Sequence, residues 1–175
     1  MAERGYLVLS ALGPDRPGLV RTLSASIVAH GGNVEDSRMA VLGGLFGVMM
    51  LLSGDRAALA AMEGEAANLE AATGLRIHCE PTAPPPTTIG TRRYIIEAEA
   101  VDREGIVHAV AEAFHALGAN IVHLESALYP APISGAPLFR IRLEIDVPLS
   151  ACDRLAHKVA ELEQHIDLEC HVREA

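Results

Sequence analysis

A stretch of text written twice constrains this chain more than any other feature. Asp15-Arg16-Pro17-Gly18-Leu19-Val20 recurs as Asp102-Arg103-Glu104-Gly105-Ile106-Val107, and Gly31 and Asn33 recur as Gly118 and Asn120, each pair 87 residues apart. Identical spacing across several residues signals an internal duplication, so the fold must be one that a unit of about 80 residues can adopt twice. Between the copies, Pro81, Pro84, Pro85 and Pro86 lie among threonines, a composition that suits an extended, semi-rigid spacer. The sequence therefore divides into a first domain at 1–80, a linker at 81–91 and a second domain at 92–175.

Each copy carries the same succession of hydrophobic periods. Leu7, Leu9 and Ala11 align with Tyr94, Ile96 and Ala98 as the inner face of a strand, and Glu97 and Glu99 give the second copy a wet face. Leu19, Leu23 and Ile27 match Ile106, Val110 and Phe114 as a helical stripe, with Gly31 and Gly118 suited to left-handed helix ends. Asn33 and Asn120 open a second strand; Phe46, Val48, Met50 and Leu52 align with Phe139, Ile141, Leu143 and Ile145 in a third. Leu59, Met62, Ala66 and Leu69, and Leu155, Val159, Leu162 and Ile166, mark a second helix, which Ser150 and Asp153 are placed to cap in the second copy. Leu75–Cys79 and Leu168–Val172 supply closing strands. The order strand, helix, strand, strand, helix, strand predicts an α+β fold of two ferredoxin-like βαββαβ units, antiparallel sheets with helices on one face.

Composition narrows the function. A net charge of −9 sets the chain's field against phosphate backbones, and three Phe, three Tyr and no Trp leave little for base stacking, so no direct nucleic-acid binding is expected. Cys79, Cys152 and Cys170 are an odd number without metal-ligand spacing, which fits a reducing, cytoplasmic compartment. The apolar run Leu7–Leu9 is too short for a signal-peptide core. Met39–Leu52 is shorter than the roughly 18 residues of a membrane helix and, with Gly43-Gly44 at its centre, reads as a hairpin. His108, Glu112 and His115, like His157, His165 and Cys170-His171, read as solvated faces and not as a metal site. No HExxH, GxSxG or Walker A text is present, so neither an enzyme nor a cofactor is expected.

The repeated loop is the candidate site. Chain leaving a strand through Asp-Arg-x-Gly to enter a helix presents unsatisfied backbone N–H groups, which favour an anion, while glycine permits close approach. An asparagine at the next helix-to-strand junction offers donor and acceptor together, and a free amino acid fits the combination. Candidate ligand-binding residues are Asp15, Pro17, Gly18, Leu19 and Asn33 in the first copy and Asp102, Gly105, Ile106 and Asn120 in the second. The competing structural reading makes Asp15 an N-cap, Pro17 an early-helix residue and Gly18 a packing choice.

This pattern resembles the ACT domain, a ferredoxin-like amino-acid-sensing module, as a tandem pair over essentially the whole chain. More narrowly, Ala11-Leu12-Gly13-Pro14-Asp15-Arg16-Pro17-Gly18-Leu19-Val20, Asn33-Val34-Glu35-Asp36-Ser37-Arg38 and Met49-Met50-Leu51-Leu52-Ser53-Gly54 are similar to the first half of transcriptional repressors of the glycine cleavage system type. That resemblance implies a regulator acting by protein contacts on a DNA-bound transcription activator, with glycine or a related small amino acid as signal. An amino-acid-binding module that regulates a metabolic enzyme is the alternative. The copies depart from one another: Glu104 replaces Pro17, Val122-His123-Leu124-Glu125 replaces Glu35-Asp36-Ser37-Arg38, and six extra residues lengthen the second copy around Tyr129 to Pro137. Gly47, Met49 and Leu51 stand where the second copy has Arg140, Arg142 and Glu144. Met49 and Leu51 are therefore expected at a protein interface, in a homo-oligomer or with a partner protein, unless the linker or the other half covers them.

Overall fold

Gly43 and Gly44 both take left-handed φ values, 58° and 82°, the pair of dihedrals that a two-residue hairpin turn demands. They join β2 (Asn33–Leu42) to β3 (Leu45–Gly54), and the run Met39–Leu52 is the hairpin its composition predicts. The structure, a computed structural model, describes residues 4–84, 89–132 and 135–175. It divides into two compact units, Met1–Thr87 and Thr88–Ala175.

In the first unit β1 (Gly5–Pro14), α1 (Leu19–Ala29), β2, β3, α2 (Arg56–Thr73) and β4 (Arg76–Thr82) form an antiparallel sheet in the order β2-β3-β1-β4 with two helices. The second repeats this with β5 (Thr91–Val101), α3 (Ile106–His115), β6 (Asn120–Pro130), β7 (Pro137–Pro148), α4 (Cys152–Ile166) and β8 (Leu168–Glu174), in the order β6-β7-β5-β8. These are the two βαββαβ units that periodicity predicts. β4 continues through Pro81 and Thr82, so the connection between sheets is shorter than 81–91, and residues 85–88 of it lie outside the described residues.

Each core fills the space between helix stripes and inner strand faces. Leu7, Leu9, Leu23, Ile27, Leu52 and Met62 are almost fully buried in one; Ile96, Phe114, Ile141, Leu143 and Ile145 are so in the other. Burial of such side chains is worth about 1.5–3 kcal/mol each. Gly31 follows the His30 C-cap with φ 79°, the left-handed helix end that sequence predicts. Ser150 and Asp153 do not cap α4: a 3-10 turn at Leu149–Ala151 leads into it and its start has no side-chain cap. In the first unit Asp55 caps α2 instead, accepting from the Ala58 N–H at 2.7 Å.

One side-chain bond recurs in both units. Glu70 accepts the Ile77 N–H at 2.7 Å and Glu163 accepts the Cys170 N–H at 3.0 Å. In each case a carboxylate from the second helix occupies an amide of an edge strand, which otherwise invites pairing with another chain. Burial, and then the nearby Glu163 charge, push the Cys170 thiol up to about 12.

Candidate functional site

The repeated loop is built around a backbone conformation. Gly18 and Gly105 are the N-caps of α1 and α3, with φ of 94° and 87°. A Cβ on either glycine would meet nothing within 4 Å, so the left-handed φ, and no close neighbour within the chain, calls for glycine here. Asp15 is therefore not the cap; its N–H donates to the Gly44 carbonyl at 3.0 Å, as the Asp102 N–H does to Pro137 at 3.0 Å. Pro17 lies in the exposed turn before Gly18. The first helical bonds, Thr22 N–H to Gly18 and Ala109 N–H to Gly105, are both 2.9 Å, leaving the N–H groups of each first turn without helical partners. Leu19 and Ile106 are each only 2% exposed, so they offer a ligand their backbone alone. Arg16, shared by both copies as Arg103, serves the fold. Its Nη2 donates to Ala72 at 2.8 Å and to Thr73 at 3.2 Å, closing the end of α2. Arg103 makes one longer bond, 3.5 Å, to His165.

Asn33 lies at the other end of α1. Eleven residues of helix, about 16 Å, separate it from Gly18, and Asn120 stands likewise beyond α3. Loop and asparagine of one copy therefore do not converge on one small ligand, against the sequence expectation. What Asn33 does meet is a polar cluster fashioned by a bulge. Register slips between Val34 and Asp36, making Glu35 the extra residue, and a bulge re-aims its side chain. Three donors reach the Glu35 Oε1: Ser53 at 2.5 Å, Arg4 at 2.5 Å and Asn33 at 3.0 Å. Arg4 also donates to the Ser53 Oγ at 2.7 Å, and Ser53 is 1% exposed. The hydrogen bonds from Ser53 and Asn33, helped by the Arg4 charge, hold the Glu35 carboxyl below its ordinary range. Beside the cluster lies a recess of about 320 Å³ lined by Arg4, Gly31, Asn33, Ser53, Gly54 and Asp55. The sequence assigns none of Arg4, Glu35, Ser53 and Asp55 to a site, although Glu35 and Ser53 lie in the text that carries the family resemblance, since their meeting depends on strand register.

The second unit keeps the backbone and changes the chemistry. Its bulge falls between Ile121 and His123, and Asn120 faces Asp146 as Asn33 faces Ser53. The extra residue is now Val122, 45% exposed. Arg93 holds Asp146 through two bonds of 2.8 and 2.9 Å, which lower its carboxyl. Pro148 lies against Gly118, 3.8 Å from where a Cβ would stand.

The outer sheet faces differ as sharply. On β7 and β5, Arg140 pairs with Glu99 at 3.1 Å and Arg142 with Glu97 at 3.3 Å, a solvated ladder. On β3, Gly47 and Met49, the latter 59% exposed, stand at the places of Arg140 and Arg142, and half-buried Leu51 at that of Glu144; Leu12 lies opposite Gly47. His108 and His157 lie 3.9 and 3.0 Å from the carboxylates of Glu112 and Glu161 on exposed helix faces. Among the described residues no helix is long and apolar enough to cross a membrane.

Two βαββαβ units with glycine-capped first helices and asparagines opening the second strand define a tandem ACT-domain protein, and the ACT domain family model matches residues 5–80. The glycine cleavage system transcriptional repressor of Escherichia coli K12 is 32% identical over 151 residues, covering 86% of this chain and 80% of that one. The chain belongs to the glycine cleavage system transcriptional repressor family, and its role is regulatory. A solved structure of an unknown protein from Galdieria sulphuraria superimposes with TM-score 0.81 at 32% identity, covering 99% of both chains. A candidate glycine cleavage system transcriptional repressor of known structure shares the fold, with TM-score 0.71 at 23% identity over 98% of both chains.

Proposed function

We propose that this chain is an amino-acid-responsive transcriptional repressor of the glycine cleavage system type, acting through protein contacts and not by holding DNA. The observation that carries this reading is the 32% identity to the Escherichia coli repressor over 86% of the chain, spanning both units. Charge supports the protein-contact route: at −9 the chain repels phosphate, so the element that touches DNA belongs to a partner, a transcription activator. Exposed Met49 beside half-buried Leu51 supports assembly, for which the occupant we assign is a second copy of the chain. Glycine is the expected signal, because a regulator of glycine breakdown reports usefully on glycine.

The test is isothermal titration of the full chain with glycine, serine, alanine and leucine, paired with co-purification from a lysate with and without glycine. Saturable binding of glycine, with a transcription activator recovered in a glycine-dependent manner, supports the reading. Recovery of a biosynthetic enzyme in its place makes the chain an enzyme-regulating module, and absence of any amino-acid binding overturns the sensing role.

A further inference from the structure

Arg4 and Asp55 line one recess, yet among the described residues they form no ion pair with each other. A cationic wall and an anionic wall thus stand apart in a recess of about 320 Å³. Each is fixed from behind. Arg4 is held through Nη2 by Glu35 and Ser53, so its other N–H groups have no protein partner among the described residues. Asp55 spends Oδ1 on the Ala58 N–H, leaving Oδ2 without one among the same residues. Asn33 donates to Glu35 through Nδ2, and its Oδ1 is likewise unpartnered among the described residues. Gly31 and Gly54 complete the lining, and a Cβ on either would meet Ala58 of α2, at 3.8 and 3.3 Å. The unspent groups are a guanidinium edge, a carboxylate oxygen and an amide oxygen, a set that matches a molecule with a carboxylate at one end and an ammonium at the other.

We propose that this recess is the amino-acid seat of the first unit: Arg4 takes the ligand carboxylate, and Asp55 Oδ2 with Asn33 Oδ1 takes the ammonium. The proposal rests on the amino-acid-sensing reading above and assigns it to one place, away from the Gly18 loop. Glu35 and Ser53 are positioning residues that aim Arg4.

The second unit carries the control within the same chain. Thr91 stands at the place of Arg4, Val122 at that of Glu35, Asp146 at that of Ser53 and Pro148 at that of Asp55. Asparagine and bulge persist while the charges at the places of Arg4 and Asp55 are gone, the Asp146 carboxylate is spent on Arg93, and the Thr91 hydroxyl has no partner among the described residues. A zwitterion has nothing to bridge there, so the chain is expected to bind one amino acid and not two.

Backbone amide NMR of the full chain titrated with glycine tests this. Saturable shifts are expected at Asn33, Ser53 and Gly54, with little change at Asn120. Asp55→Asn keeps a competent helix cap while removing the charge, and Arg4→Gln removes the other wall; each is expected to weaken glycine binding about tenfold or more. An unchanged thermal melt for Asp55→Asn separates lost binding from lost fold. Betaine, which lacks ammonium N–H groups, is expected not to bind. Shifts confined to the Gly18 and Gly105 loops, or unaltered affinity in both variants, overturn this seat while leaving amino-acid sensing standing. No shift with any amino acid removes the sensing reading itself.

Discussion

Arg16 reaches back to Thr73: its Nε and Nη2 donate to the Thr73 carbonyl oxygen at 3.3 and 3.2 Å, tying the first loop to the last turn of α2. A cation at a helix C-terminus satisfies orphan carbonyls and opposes the negative end of the dipole. Arg16→Ala is expected to lower stability by about 1 kcal/mol. Arg103→Ala, which loses one 3.5 Å bond, should cost distinctly less. Urea denaturation of both variants checks the ranking; equal losses would deny Arg16 its role as a clamp.

The same arginine shows where sequence reasoning stops. The strands are legible because Phe139, Ile141, Leu143 and Ile145 alternate with charged residues, and burial on one face enforces a period of two. The helices are legible for the matching reason at their own period. The recurring Arg16 invites a ligand role, yet its partners are carbonyls more than 50 residues away, with no side-chain identity to betray them. The loop and Asn33 look like neighbours in text because only α1 stands between them, and a helix converts that interval into distance. Glu35 escapes notice because a bulge, which no local period encodes, turns it toward Arg4 and Ser53. The contrast between the copies does carry a signal. At the positions of Glu35 and Arg4 the second copy has Val122 and Thr91, so the two copies differ in charge at one place in a shared fold.

Gly18 and Gly105 are expected to answer substitution through the backbone alone. Open space surrounds a built Cβ at both positions, so Gly18→Ala and Gly105→Ala add no clash but place an L-residue at φ of 94° and 87°, a cost of about 1 kcal/mol each. Asparagine, which tolerates that region better, should cost less. Denaturation midpoints measure the series, and glycine titration of Gly18→Ala gives a second readout, with affinity retained if the ligand sits at Asn33. A loss of affinity without loss of stability would return the ligand to the loop.

Acid should loosen the fold through a short set of carboxyls. Hydrogen bonds to Ser53 and Asn33 depress Glu35, the bond to Arg93 depresses Asp146, and bonds from Tyr129 and Arg140 depress Glu99. A carboxyl depressed in the folded state adds stability that is complete above its ordinary value, 4.5 for Glu and 3.8 for Asp, and fades as pH falls through the folded value. Stability is therefore expected to be flat in this respect near neutrality and to decline below about pH 4.5. Asp146→Asn should lower stability at pH 7 and flatten the acid limb, because the Arg93 pair no longer titrates. Urea midpoints from pH 7 to pH 3 for the two proteins decide it, and parallel curves would contradict the assignment.

The outer face of the first sheet, where Met49, Leu51, Val8 and Leu12 form a central apolar strip between Asp36 and Arg38 on β2 and Arg76, His78 and Glu80 on β4, predicts an assembly that one charge can break. Three of its strands run ten residues each and β4 runs seven, and with strands about 4.8 Å apart and residues rising about 3.3 Å, the whole four-stranded face offers about 600 Å². Two copies packed face to face would bury about 1,200 Å² in total, at the lower bound for a stable specific interface. Met49 pairs in register with Ser10 on one side and Arg38 on the other, so it sits in the interior of that face. Met49→Lys places a cation in the middle of that face, where packing against a second copy would strip it of water. Light scattering is expected to give a dimer for the unaltered chain and a monomer for Met49→Lys, with the fold intact by circular dichroism. Arg140→Ala, on the charged ladder of the second sheet, should leave the mass unchanged. A Met49→Lys chain with the mass of the unaltered one would remove this face from the interface.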